Sequence, residues 1–463
     1  MEIIVNEKII VKNPTQTIER WCRDFLTLDN PDYYKREKMG KSTWNIPRTI
    51  VLYERIGNEL WLPFGCLQKI WGMCVRGVQW RLEISPITPL KYQSGINLYD
   101  YQNDAVNAAI QRKNGVLVMP CGSGKTQCGL EIISRIGGRA LWLTHTQDLL
   151  NQSKKRAESV LSQGGYGTIT AGKVNIGTHI TFATVQTMAK INLQAYKDAF
   201  DVVIVDECQH CCGTPTKVTQ FYKVVSSLRA RYKIGLTATP KRADGLERAM
   251  FALLGGVMHE VTREQVAHTT CPIKVRQIMT SWAPNYDCVL MGDGTIDYNK
   301  VIDNMVHDES RFECVFDFLA YIPQGQSAIV LANRVEYLKT MCDAYNQGQF
   351  GAAVCLSGAG QSKTAKNERK KALQALNSGE IDVVFATYQL AKEGLDVPNL
   401  RFVVLATPEK DETTVIQSAG RVGRKADGKD FGTVVDFIDD FGMYYGWAKK
   451  RENYYKKIGA EIV

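Results

Sequence analysis

From Leu98 onward the chain alternates short apolar runs with stretches that read as helical. The runs are Val116–Met119, Ala140–Thr144, Ile180–Ala183, Val202–Val205 and Lys233–Leu236. A second series begins near Ser327: Ser327–Leu331, Ala352–Leu356, Val383–Ala386, Phe402–Ala406 and Thr433–Phe437. Short runs of β-branched and apolar residues suit strands buried on both faces. Such strands, separated by helices, predict parallel sheets covered on both sides. Two tandem doubly wound α/β domains are therefore expected, over residues 96–255 and 311–463. Between them, residues 256–310 contain Pro272, Pro284 and the turn-like Gly292-Asp293-Gly294, and read as a linker or small insertion. The aromatic and basic tail from Tyr444 to Lys457 predicts a closing helix.

Residues 1–95 have a different texture. They hold five of the eight tryptophans (Trp21, Trp44, Trp61, Trp71, Trp80) and 14 basic residues against 10 acidic ones. Two readings stand for this small accessory domain. Its tryptophans form a core, or some of them share a face with Lys and Arg, where bases stack and phosphates pair.

Composition narrows the class. At 463 residues the chain exceeds what one core serves, and 44% hydrophobic with 23% charged residues are the proportions of a soluble globular protein. No apolar run approaches the roughly 20 residues of a membrane span, and Met1-Glu-Ile-Ile-Val-Asn-Glu7 lacks the features of a signal peptide, so a cytoplasmic location is expected. Thirteen scattered cysteines fit reduced thiols used as small hydrophobes. One cluster, Cys208-Gln-His-Cys211-Cys212, has spacing that can ligate zinc, but no second ligand pair is apparent. The net charge of +9 points toward a polyanionic partner without deciding it.

The chemistry begins at Met119-Pro-Cys-Gly-Ser-Gly-Lys-Thr126, directly after the run Gly115–Val118. Gly122 and Gly124 let backbone amides turn inward around an anion, with Cys121 and Ser123 completing the loop. Lys125 supplies a cation for the β and γ phosphates, the Thr126 hydroxyl can ligate Mg²⁺, and the following helix adds its positive end. The pattern is that of a phosphate-binding loop, G-x-x-x-x-G-K-[ST], with Met119 at the first glycine position. Some 80 residues on, Val202–Val205 runs into Asp206-Glu207, two carboxylates at the carboxyl end of a buried strand, where α/β sheets bind ligands. Asp206 can hold Mg²⁺ through water, and Glu207 can orient or deprotonate an attacking water. Read alone, an acidic pair here also serves as a helix cap.

Asp206-Glu207-Cys208-Gln209-His210 resembles the DEAD/DEAH box of superfamily 2 helicases, and further matches over about residues 98–440 follow that family's order. Leu98-Tyr-Asp-Tyr-Gln102 resembles the adenine-contacting segment, with Gln102 as reader of the base edge. Thr237-Ala-Thr239-Pro240 resembles the segment coupling hydrolysis to motion, a role shared with His210. Thr387 with Glu393-Gly394-Leu395-Asp396 resembles motif V, placing Gly394 and Asp396 near nucleotide. Gln417-Ser-Ala-Gly-Arg421-Val-Gly-Arg424 resembles motif VI, with Gln417 at the site and Arg421 and Arg424 as arginine fingers. Arginines of one domain reaching nucleotide held by the other would make closure depend on ATP.

The resemblance implies two RecA-like domains, ATP and Mg²⁺, and nucleic-acid contacts at Thr144, His145, Thr184, Asn333 and Thr387. Small hydroxyl and amide side chains at strand ends bind phosphates without reading bases, although each also suits a helix cap. Pro120–Thr126 is similar to the loop of XPB-like helicases, and Arg242-Ala-Asp244 to their Arg-Glu-Asp element, with Ala in place of Glu. The small domain ahead of two motor domains is similar to UvsW-type phage branch-migration helicases. No recognisable nuclease, methyltransferase or long C-terminal extension accompanies the motor, which argues against a restriction-enzyme motor subunit. The expectation is a monomeric motor acting on branched, forked or duplex DNA in recombination, repair or replication. An RNA helicase and an ATP-gated clamp that does not travel are the alternatives.

Overall fold

The computed structural model describes residues 1–74, 77–211, 219–240, 245–292, 294–356, 363–392 and 397–463. Gly394 and Asp396 with Glu393 and Leu395, Arg242–Asp244, Asp293 and Cys212 lie outside the described residues. Two units are present, Met1–Pro120 with Gly124–Thr262, and Arg263–Val463 with Cys121–Ser123.

In the first unit the accessory domain is a five-stranded sheet in the order Glu54–Ile56, Glu59–Pro63, Lys8–Lys12, Glu2–Val5, Gln79–Leu82. Glu2–Val5 and Lys8–Lys12 form an antiparallel hairpin, while Gln79–Leu82 joins it in parallel. Period-two alternation puts Ile3, Val5, Ile9 and Val11 on one face. Helix Gln16–Phe25, capped by the Thr15 hydroxyl accepting from the Ile18 amide, covers that face with Ile18 and Cys22. The domain is seated on the motor: Ala249 and Ala252 of helix Glu247–Leu254 belong to the same core, and Arg229 pairs with Glu7 at 2.7 Å. The tryptophans divide between the two readings: Trp21 and Trp80 pack, partly buried, against this core, Trp61 is half-buried, and Trp44 and Trp71 are 83% and 64% exposed.

The motor sheet of this unit has eight strands, in the order Lys173–Asn175, Tyr166–Thr170, Ile180–Thr184, Ala140–Thr144, Val202–Asp206, Tyr232–Thr237, Asn114–Val118, Val257–Glu260. All pairs are parallel except that of the edge strand Lys173–Asn175. The five central strands are buried along their whole length, as parallel strands covered on both faces are.

The second unit is a seven-stranded parallel sheet, in the order Ala353–Leu356, Val383–Thr387, Ala328–Ala332, Phe402–Leu405, Gly432–Ile438, Ile273–Met279, Glu461–Ile462. The stretch 256–310 is not one linker or insertion: Val257–Glu260 completes the first sheet, Ile273–Met279 lies inside the second, and helices Tyr298–Val306 and Glu309–Ala320 begin the cover of the latter. The aromatic tail forms helix Gly442–Lys457, which buries Tyr444, Trp447, Arg451 and Tyr455. Two ion pairs are sealed within this unit, Arg311–Asp439 and Arg451–Asp436, each 2.8 Å. No helix among the described residues is long and apolar enough to cross a membrane.

Candidate nucleotide site and nucleic-acid face

Strand register brings the motif ends of the first unit together. Thr237 lies opposite Val118, Asp206 opposite Leu236, Val205 opposite Leu143, and Thr184 opposite Thr144. Because these strands are parallel, the phosphate loop, the acidic pair, Thr237–Thr239, His145 and the turn after Thr184 leave along one edge of the sheet.

In the loop Gly122 and Gly124 have φ of 81° and 84°, the left-handed region that glycine enters without penalty. A Cβ on Gly124 would lie 2.4 Å from Gln102 Nε2, so glycine also makes room for the base-edge candidate. Gln102 is buried and its Oε1 accepts from the Tyr99 amide at 3.0 Å, fixing the start of helix Asp100–Arg112. Lys125 opens helix Lys125–Ile136, its Nζ donating to the Met119 carbonyl at 3.4 Å, and Thr126 follows in the first turn. Met119 is not at a left-handed φ, its side chain is fully buried and its amide donates to the Thr237 carbonyl at 2.9 Å. No glycine is needed there, and the departure from the pattern contributes a core side chain.

Asp206 is buried at its strand end; desolvation first, and then the charge of Glu207, push its carboxyl above the ordinary range, against the pull of Lys125. Glu207 has φ 53°, a sparsely populated conformation for this residue, and its amide donates to Asp206 Oδ1 at 3.1 Å. Gln209 Nε2 donates to Glu207 Oε2 at 2.8 Å, and the Thr237 hydroxyl donates to Gln209 Oε1 at 2.7 Å. The Thr239 amide in turn donates to Thr237 Oγ1 at 3.0 Å. A continuous bonded chain thus joins the catalytic candidate to the coupling candidates. Gln209, central to it, was not singled out from the sequence, since its partner Thr237 lies on another strand. A glycine cradle beside a lysine fits a nucleotide's phosphates, and the buried Asp206 carboxylate beside the half-buried Glu207 fits a divalent cation.

Cys208 and Cys211 are both buried beside this chain. A Cβ on Gly235 would meet Cys208 Sγ at 2.6 Å, so Cys208 packs tightly as a small hydrophobe.

Of the nucleic-acid candidates in the first unit, Thr144 is fully buried and its hydroxyl donates to the Thr146 carbonyl at 3.0 Å. Thr184 is also buried and donates to Thr187 Oγ1 at 3.1 Å. Both hydroxyls are spent inside the protein. His145 is half-buried, its ring 4.4 Å from that of His210, and its carbonyl accepts from the exposed Gln186 at 2.7 Å. Gln186 and Thr187, two and three residues past the predicted Thr184, are thus the more exposed polar groups of that turn.

In the second unit Asn333 and Thr387 leave the carboxyl ends of neighbouring strands, with Ala332 opposite Thr387. The Asn333 amide donates to Thr407 Oγ1 at 3.0 Å, and Thr387 Oγ1 accepts from the Leu390 amide at 3.4 Å, which is a capping bond. Gln417 and Arg421 lie on helix Glu412–Val422, whose N-terminus is capped by Asp411. Arg421 donates to the Ala391 carbonyl. Arg424, just past the helix, forms a backbone bridge with Thr270, and its carbonyl accepts from Lys429 at 2.9 Å.

Residues 95–242 match the family described as type III restriction enzyme, res subunit, and residues 310–426 match the helicase conserved C-terminal domain. The chain belongs to the superfamily 2 helicases. With that membership come two RecA-like domains, use of ATP and action on nucleic acid. The chain is 27% identical to a "Putative ATP-dependent RNA helicase" of Acanthamoeba polyphaga mimivirus, over 74% of this chain and 64% of that protein, just under two thirds of its length. It is 26% identical to the "DNA 3'-5' translocase XPB2" of Sulfurisphaera tokodaii, over 72% of this chain and 80% of that one. The "ATP-dependent DNA helicase uvsW" of Enterobacteria phage T4 is 21% identical, over 93% of this chain and 89% of that one.

Proposed function

We propose that this protein is an ATP-dependent translocase or helicase that works on branched or duplex DNA in the cytoplasm, as a single-chain motor. The observation that carries the reading is the bonded chain Glu207–Gln209–Thr237–Thr239, which ties the carboxylate that would handle the attacking water to the segment that would move. Gln102 and the amides of Cys121–Gly124 hold the nucleotide, and Lys125 neutralises its phosphates. Thr126 and Asp206 would hold Mg²⁺, which when bound would supply charge stabilisation to the transferring phosphoryl group. Glu207 orients the water and takes its proton. Arg421 and Arg424 serve as arginine fingers, with Gln417 beside them.

The His210 ring lies against that of His145, tilted by 43°, so a change at the acidic segment reaches the turn carrying Gln186, where we assign a contact to a phosphate backbone. Asn333 and Thr387 take the corresponding role in the second unit. The choice of DNA is supported by the names of the XPB2 and uvsW relatives, a DNA translocase and a DNA helicase.

The test is ATPase and strand-separation activity on a panel of fork, Holliday-junction, single-stranded and duplex DNA beside matched RNA. Strongest stimulation by branched or duplex DNA is expected. Stronger stimulation by RNA would overturn the DNA assignment.

A further inference from the structure

The accessory domain carries a projection that the nucleotide site does not explain. Between the paired strands Thr27–Asp29 and Thr49–Val51 the chain leaves as helix Pro31–Lys38 and returns through residues 39–48. The base of this excursion is clamped by Asn30, whose side chain donates to the Pro47 carbonyl at 2.7 Å and whose amide donates to the Arg48 carbonyl at 3.0 Å. Its outer part is bonded rather than slack. The Lys41 amide donates to the Arg36 carbonyl at 2.9 Å, the Ile46 amide to the Thr43 carbonyl at 3.0 Å, and the Trp44 amide to Ser42 Oγ at 3.3 Å. Gly40 and Asn45, at φ 63° and 62°, make the turns.

This turn holds Trp44 outward with 83% of its surface exposed. An indole held outward by a bonded turn offers its ring face to a stacking partner. Lys35, Arg36, Lys38, Lys41 and Arg48 are exposed on the same excursion, five basic residues against three acidic ones from Asp29 to Arg48. The Arg48 guanidinium is steadied by Tyr34, whose hydroxyl accepts from Arg48 Nε at 3.1 Å.

We propose that this projection is a DNA wedge, in which the basic residues grip phosphates at a fork and Trp44 stacks on the base pair next to the junction. The inference rests on the DNA-motor reading above and adds the element that meets the branch. Charge complementarity selects a polyanion, and the aromatic face selects one with unstacked bases. Stacking tolerates any base, as a motor moving through arbitrary sequence requires.

The test uses the full chain and two variants, Trp44→Ala and Trp44→Phe, on a DNA fork with 2-aminopurine at the base pair beside the junction. Without ATP, wild type should change the probe's fluorescence on binding. Trp44→Ala should lose that change and bind the fork about tenfold more weakly, while Trp44→Phe restores most of both. All three should melt at the same temperature, since the side chain packs against little. Equal fork affinity and an equal probe signal for wild type and Trp44→Ala would overturn the wedge, as would the same response on an RNA fork with none on DNA. The readout needs no hydrolysis: a wild type that hydrolyses no ATP on any DNA would sink the motor reading, and a Trp44-dependent probe signal would still establish the wedge.

Discussion

Lys233 provides a quantitative test of how the accessory domain is seated on the motor. Its side chain is fully buried in strand Tyr232–Thr237, with Nζ donating to the Val225 carbonyl at 3.1 Å and lying 4.4 Å from the centre of the Phe64 ring of the accessory domain. Burial pushes the ammonium down from 10.5 to about 7, against the pull of Glu7. The unfolded chain therefore holds this proton up to about pH 10.5 and the folded chain only to about pH 7, so between those values stability rises with pH. At 1.36 kcal/mol per pH unit the penalty is at most about 5 kcal/mol at pH 6 and about 1.4 kcal/mol at pH 9.5. The ring contact and the carbonyl bond return part of it, of order 1–2 kcal/mol each when desolvated.

Lys233→Met keeps the length of the side chain and removes the charge. It should stabilise the protein by about 2 kcal/mol at pH 6, an advantage that fades as the pH approaches 10. Denaturant or thermal melts of both proteins at pH 6, 8 and 9.5 measure this. A variant that is less stable than wild type at every pH, or whose gain does not change with pH, would refute the reasoning.

Three further outcomes follow from the geometry. Gly124→Ala places a methyl 2.4 Å from Gln102 Nε2 at φ 84°, a strain of about 1–2 kcal/mol, so nucleotide affinity measured by calorimetry should fall more than tenfold while the melting temperature moves only a few degrees. Thr237→Val leaves the Gln209 amide oxygen buried without its 2.7 Å donor, at a cost of about 1–3 kcal/mol. Steady-state assays should show DNA-stimulated ATP turnover falling more than unstimulated turnover. Asp439→Asn removes the charge that pairs with the fully buried Arg311, and should cost about 3–5 kcal/mol in unfolding free energy by denaturant titration.

The mainly apolar runs marked the central strands of both sheets to within a residue or two, because strands buried on both faces need mostly apolar side chains. Tyr166–Thr170 and Ile273–Met279 escaped notice for the opposite reason. The first alternates buried and half-exposed positions near a sheet edge, and the second carries Lys274, Arg276 and Gln277. Asp206-Glu207 was legible because two carboxylates ending an apolar run are chemically costly to bury. The bond from Thr237 to Gln209 was not, because it spans 28 positions and exists only once the two strands pair. Thr144 and Thr184 illustrate a further limit: a hydroxyl at a strand end has the same sequence signature whether it faces a phosphate or, as here, a bond inside the protein.

The most direct test of the motor is displacement of a third DNA strand from a duplex, measured for wild type and Glu207→Gln with ATP. Wild type should strip the third strand while hydrolysing ATP, and Glu207→Gln should bind the same duplex without hydrolysis or displacement. Hydrolysis by wild type that leaves the triplex intact would reduce the protein to a clamp, and displacement by Glu207→Gln would remove Glu207 from the chemistry.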